Sequence, residues 1–263
     1  MSPKAGVDGV RRVLDDEAWR QLEPILLGLL SRRGALPRLE LREYIEAVLY
    51  LARTGVPWRD LPPCFGAWDA AYQRFRRWQK AGTWEKVWRA LQAPAAASAQ
   101  RVFVDNTVVR AHQHAAGGRA DDRALGRSRG GFGTKVHIAA CDERTALGVV
   151  LTGGQAGDAP AFAAVMCDLP DETVAEVVVA DRAYDSDAIR ADLAGAGLGA
   201  VIPSRRNRVG PIPHDAGAYR GREKSERLNS RVKRMRRVAT RYEKLGSVFL
   251  AMVHVSCIAS ILL

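Results

Sequence analysis

The chain is short of acid. Against 40 lysines and arginines it carries only 29 aspartates and glutamates, a formal net charge of +11. Arginine, whose planar fork suits bidentate phosphate contacts, supplies most of the excess. This imbalance points to a polyanionic partner, nucleic acid before a membrane surface; a basic surface kept for solubility is the plain alternative. Cysteine is scarce and scattered: Cys64, Cys141, Cys167 and Cys257 show no CxxC or Cys/His spacing. That excludes a disulfide framework and a sequence-local zinc motif, and suits free thiols in a reducing cytosol. His112 and His114 with His137 raise the question of zinc, which needs three or four convergent ligands; DNA contact or loop packing is the expectation for them. MSPKAGVDGVRR has no apolar run, so no signal peptide is expected. The one long apolar stretch is the last, LGSVFLAMVHVSCIASILL, broken by His254, three serines and a glycine. It reads as a buried C-terminal helix and not as a tail anchor, which leaves a cytoplasmic, nucleoid-associated protein with no membrane partner.

What is present falls into two regions. Residues 12–33 (Trp19, Leu22, Ile25, Leu26, Leu29) and 39–54 (Leu41, Tyr44, Ile45, Val48, Leu51) show helical apolar spacing, ending at Gly34 and Gly55. VPWRDLPPCFGAW is a structured turn region. A third helix from Asp69 carries Tyr72, Phe75 and Trp78 inward, with Arg74, Arg76, Arg77 and Lys80 projecting between them, and a fourth covers Trp84–Leu91. A basic aromatic helix closing a small bundle suggests a helix-turn-helix-like domain over residues 1–93 that contacts DNA through those four cations; any helical bundle with a basic face has the same pattern. PAAASAQ, residues 94–100, reads as a linker.

Residues 101–263 have the alternation of an α/β domain. RVFVDNTVVRAH is a strand with an acid, Asp105, inside its apolar run, costly unless that charge is paired or bound to metal. GGRADDRALGRSRGGFG is a Gly/Arg-rich loop, and TKVHIAACDE with ALGVVLTGG forms a hairpin. Ala159–Leu169 looks helical, Val177–Ala180 is an apolar strand that delivers Asp181 at its C-terminal end, where α/β sheets place ligands, and GAVIP is a further short strand. Tyr219 to Lys244 then reads as one long basic helix with three acids, on which Tyr219, Arg222, Glu226 and Lys233 share one narrow stripe. The plain reading of that stripe is a solvated face with i,i+4 pairs such as Arg222 with Glu226.

Asp105, Asp181 and Glu226 together are what two-metal phosphoryl transfer requires: hard oxygen ligands for two Mg²⁺ ions, with no covalent nucleophile. The spacing Tyr219-x2-Arg222-x3-Glu226-x6-Lys233 resembles the C-terminal signature of bacterial insertion-sequence DDE transposases. VDNTVVRAHQHAAG, LGRSRGGFGTKVH, VADRAYDSDAIR, VIPSRRNR and RRVATRYEKL are similar, in order, to segments of the insertion-sequence family numbered five, as are GVPWRDLP, FGAW and RFRRWQKAGTW. The resemblance covers nearly the whole chain. It implies an α/β fold with an RNase H-like mixed-sheet catalytic core behind the helical domain, and Asp105, Asp181 and Glu226 as a triad holding Mg²⁺, with Mn²⁺ as a substitute. It further implies cutting of double-stranded DNA at terminal inverted repeats and strand transfer into a target, with a dimer or larger oligomer for synapsis. Arg222 and Lys233 would hold phosphates and Tyr219 would contact DNA. Asn106, Gly157, Ser225 and Asn229 depart from the family's usual residues, and they motivate a second expectation, an inactive or repurposed copy that binds DNA. A nuclease that cuts without joining is the third.

Overall fold

The computed structural model describes residues 10–30, 39–116 and 122–263. Four helices come first: α1 (Asp16–Leu29), α2 (Leu41–Thr54), α3 (Trp68–Lys80) and α4 (Thr83–Ala96). Asp15 caps α1 by accepting from the Ala18 N–H at 2.8 Å, and α2 stops where Gly55 takes a left-handed φ of 75°, a conformation that glycine adopts without strain. The proline-rich segment between α2 and α3 makes two single 3₁₀ turns, Trp58–Asp60 and Pro63–Phe65. Gly34, the expected end of the first helix, and residues 117–121 of the Gly/Arg-rich loop lie outside the described residues. Pro94, expected to open a linker, sits inside α4.

The sheet contains β1 (Arg101–Ala111), β2 (Gly126–Ser128), β3 (Gly131–Ala140), β4 (Ala146–Gly153), β5 (Val177–Ala180), β6 (Gly199–Val201) and β7 (Thr240–Arg241), with α5 (Phe162–Cys167) and α6 (Asp187–Gly195) interspersed. β1, β3 and β4 pair antiparallel; β5 joins β1 in parallel and β6 joins β5. The resulting order β4-β3-β1-β5-β6, with β1 central, is an RNase H-like mixed sheet. Side chains alternate across a strand, so β1 feeds two cores. Val102 and Val104 pack with Phe162, Tyr184 and Ile189 on one face; Phe103 and Val109 pack on the other with α4, α8 (Glu223–Val232) and α10 (Gly246–Leu262).

The C-terminal stretch is buried as the sequence suggests. α10 is covered on nearly every side and packs against α4, α2 and α8, and no helix among the described residues is long and apolar enough to cross a membrane. The single long helix expected from Tyr219 to Lys244 is not there. That segment is broken into α7 (Ala216–Arg220), α8, α9 (Arg236–Ala239) and β7. Two contacts account for the breaks. Gly221 sits where a Cβ would meet the Phe103 ring at 3.1 Å, and against β1 the helical ladder tightens to i→i+3 bonds, the Gly221 N–H donating to the Ala218 carbonyl and the Arg222 N–H to that of Tyr219. Downstream, Arg237 and Arg241 are core residues: Arg237 pairs with the buried Glu243 at 2.8 Å and donates to the Val56 carbonyl at 2.7 Å. Fully buried Arg241 donates to the Thr134 hydroxyl at 2.6 Å and the Glu243 carbonyl at 2.9 Å. A solvated helix would waste these bonds; the turn brings β7 alongside the end of β1.

Candidate active site

Register places the first two acids. On the parallel pair β1–β5, Val104 lies opposite Ala180, so Asp105 and Asp181 are the next residues along adjacent strands. They continue the face of Phe103 and Val179, towards α8. Asp105 is buried, 6% exposed. Its two oxygens each have a protein donor: Arg222 Nη2 at 3.2 Å and Asn229 Nδ2 at 3.1 Å. Burial holds its carboxyl above the ordinary aspartate value, with Arg222 working against the shift and the charge of Asp181 adding to it. Asp181 begins the 3₁₀ turn Arg182–Tyr184 and accepts from the Ala183 N–H at 2.7 Å.

The third acid comes from α8. Glu226 is turned outward, its side chain 60% exposed, and bonds Arg222 Nη1 at 2.6 Å. Arg222 therefore bridges Asp105 and Glu226. Burial disfavours its guanidinium, but Asp105, Tyr219 and Glu226 outweigh burial and raise its pKa. Ser225 closes the turn by donating to the Arg222 carbonyl at 2.8 Å. Asn229, one turn beyond Glu226, is buried, and its Oδ1 has no hydrogen-bond partner among the described residues. Its role beside Asp105 has a sequence signal only in hindsight: it departs from the resembled family where the helix crosses β1.

The remaining expected residues are placed as follows. Lys233 ends α8 and donates to the Val108 carbonyl at 2.7 Å, on the stretch of β1 between the pairings with β5 and β7; burial lowers its pKa. Tyr219 is half-buried, edge-on to His214 at 5.4 Å. Arg77 and Lys80 are exposed and Arg76 is partly so. Arg74 is a correction: it does not project outward. α3 buries Ala71, Arg74, Phe75 and Trp78, an i, i+3, i+4, i+7 stripe that includes Arg74. Its guanidinium lies 4.3 Å from the centre of the Tyr44 ring and donates to the Leu39 carbonyl at 3.1 Å. His137 is buried against the Thr152 hydroxyl at 2.8 Å, and His112 packs on Tyr242.

Sequence reading passed over Asp185. It is 3% exposed and is held by Arg190 at 2.9 Å, Arg208 at 2.8 Å and the Arg205 N–H at 2.8 Å. Burial opposes its charge, but these donors outweigh it and bring the carboxyl down to about 2. The cluster ties the segment after Asp181 to α6 and to the loop after β6, and so fixes the backbone from which Asp181 springs. The signal in the sequence was Asp185 flanked by Arg182 and Arg190.

Among the described residues no three of histidine, cysteine, aspartate and glutamate are gathered closely enough to hold a metal ion. The donor set nonetheless fits a hard divalent cation. Two adjacent carboxylates face α8, and the amide oxygen of Asn229 beside them is buried and unpartnered. Arg222 now supplies the positive charge between Asp105 and Glu226.

An RNase H-like mixed sheet with one acid inside its central strand, a second just past the end of the parallel neighbour, and a third on the helix crossing them defines a recognisable class of α/β protein. Sequence comparison specifies it further. The profile of the transposase DDE domain family matches residues 97–262, and that of IS4/5-family transposases (DUF4096) matches residues 14–88. The chain belongs to the transposase DDE domain family. An uncharacterised protein of Sinorhizobium fredii, y4sN, is 36% identical over 113 residues, 43% of this chain and 84% of that protein. A protein of Brucella ovis named for the transposase of insertion sequence element IS6501 is 32% identical over 127 residues, 47% of this chain and 94% of that protein. Among solved structures, the piggyBac transposase in a synaptic complex with hairpin DNA aligns over 94% of this chain and 72% of its own, at 12% identity and a TM-score of 0.49.

Proposed function

We propose that the chain is a DNA transposase that binds the terminal inverted repeats of an insertion sequence, cleaves at the ends and joins the freed 3′-hydroxyl to target DNA. The observation that carries this reading is the meeting of Asp105, buried beside Arg222 and Asn229, with Asp181 just past the end of the neighbouring strand and Glu226 linked to Asp105 through Arg222. Asp105, Asp181 and Glu226 would hold Mg²⁺ or Mn²⁺. Bound there, the metal supplies activation of the attacking oxygen and stabilisation of the leaving one. Arg222 keeps the carboxylates compatible until then, and Asn229 fixes the orientation of Asp105. Glu226 has to leave Arg222 to join the other two, and its exposure leaves it free to turn. Lys233 and Tyr219 flank the site as phosphate and DNA contacts, and Arg76, Arg77 and Lys80 of α3 face the duplex from the helical region. Bringing two ends together calls for at least a dimer.

The test is a joining assay with the full chain, Mg²⁺ and the DNA ends flanking its own gene. Wild type should give end cleavage and joined product, and Glu226→Gln neither, while still binding end DNA. An active Glu226→Gln would remove Glu226 from the triad. The second reading, a DNA-binding protein without catalysis, is favoured by the pairing of Glu226 with Arg222; it predicts specific end binding and no nicking in Mg²⁺ or Mn²⁺.

A further inference from the structure

A second group of cations gathers away from the three carboxylates. Arg231 lies five residues after Glu226, about 140° round α8, and Arg234 follows Lys233 in the turn after the helix. Here a cavity of about 410 Å³ opens between α8, α2, α10 and the segment before α1. Arg11, Arg12, Arg53, Arg231 and Arg234 line it, and no acidic side chain does. Two of the five are committed: Arg12 pairs with Glu43 at 2.5 Å, and Arg53 donates to the Arg11 carbonyl at 2.9 Å. The guanidinium groups of Arg11, Arg231 and Arg234 have no ion-pair partner among the described residues.

A second observation is independent of charge. Ser260 of α10 lines the same cavity, is 95% buried (5% exposed), and its hydroxyl has no hydrogen-bond partner among the described residues. The neighbouring Ser256 hydroxyl, by contrast, is bonded to the Val232 carbonyl at 2.8 Å. A buried hydroxyl left without a partner is unfavourable, and so is crowding guanidinium groups. Arg231 shows the crowding: burial, Arg144 and Arg234 lower its pKa, and Glu143 and Asp142 do not make up the difference. An oxyanion in the cavity would relieve both, because guanidinium forks and a hydroxyl are donors matched to phosphate oxygens.

We infer that this arginine-lined cavity is a second DNA-phosphate site, which grips a stretch of backbone apart from the strand being cut. The cavity is of ligand size, and the three guanidinium groups without an ion-pair partner among the described residues come from the segment before α1, from α8 and from the turn after it. The inference rests on the transposase reading only for the identity of the polyanion.

The test is equilibrium binding of the full chain to two labelled duplexes, one ending in the element's own terminus and one scrambled, across a salt series. Arg231→Gln with Arg234→Gln removes two phosphate contacts. The slope of log affinity against log salt should become shallower by about 1.8, since each neutralised phosphate contributes about 0.9. The loss should be equal on both duplexes, because backbone contacts carry no sequence information. Ser260→Ala removes a hydroxyl with no internal partner, so the fold keeps its melting temperature while DNA binding weakens by about threefold. An unchanged slope in the double variant together with unchanged affinity in Ser260→Ala overturns the inference. So does a cavity that takes inorganic pyrophosphate, seen as a rise in wild-type melting temperature lost in the double variant, while the DNA slope stays the same. Failure of the transposase reading looks different: wild type that binds DNA and never joins it, with the slope comparison intact.

Discussion

Asp105 and Asp185 are both aspartates at almost full burial in the α/β layer, and both face arginine, yet the protein settles them in opposite ways. Asp185 has two guanidinium groups and a backbone N–H, and its carboxyl is brought down to about 2. Asp105 has one guanidinium shared with Glu226, one side-chain amide and the Asn106 N–H, too little to offset burial, and its carboxyl sits above the ordinary value. The difference lies in how far each charge is satisfied from within. A buried carboxylate with a full complement of donors holds structure together. One left short of compensation suits a group that binds something the chain itself does not supply.

Replacing each aspartate by its amide should therefore separate activity from stability. The largest effect is expected for Asp105→Asn on catalysis: under the proposed function it removes one hard ligand and several kcal/mol of charge stabilisation, a loss of joining of at least about 10³-fold. Its melting temperature should hold or rise, because burial already works against the charge that is lost. Asp185→Asn should do the reverse. It leaves the partly buried Arg190 without its carboxylate, at about 2 kcal/mol, below the usual loss for a fully buried pair. For a chain of this length the melting temperature should fall by roughly 4–8 °C. Equal melting losses in the two variants would break the contrast.

A pH series sharpens it. The Asp185 carboxyl is depressed in the folded state, so its contribution is fully present above the ordinary aspartate pKa and is lost as pH falls through about 2. Urea unfolding of wild type and Asp185→Asn should differ by a constant amount from pH 7 down to about 5, narrow from about pH 4, and converge only once pH has fallen past about 2. A gap that stays open at the acid end would assign the stabilisation to packing.

This contrast also marks how far the sequence could be read. The strands were legible because their apolar runs are short and bounded, and Asp105 stood out as a charge within one of them. Asp181 was legible as the residue at which an apolar run stops. Periodicity failed where a side chain's partner is remote in sequence. Arg74 belongs to the buried stripe of α3 only because the Tyr44 ring and the Leu39 carbonyl receive it. The stretch from Tyr219 to Lys244 looks helical throughout because composition does not show Gly221 against Phe103, or Arg241 inside the core beside Thr134. Asn229 read as a drifted residue until β1 was seen beneath it.

The smallest effect on stability belongs to the acid with the most exposed role. Glu226 bonds Arg222 across one turn of α8 with 60% of its side chain in solvent, and such i,i+4 pairs contribute about 0.3–0.5 kcal/mol. Arg222 keeps Asp105 as a partner when Glu226 is neutralised. Glu226→Gln should therefore melt within about 2 °C of wild type while losing joining altogether. That makes it the variant in which fold and catalysis are most cleanly parted. Should it instead lose stability on the scale of Asp185→Asn, Glu226 would be a structural partner of Arg222, and the third acid of the proposed triad would have to be sought elsewhere.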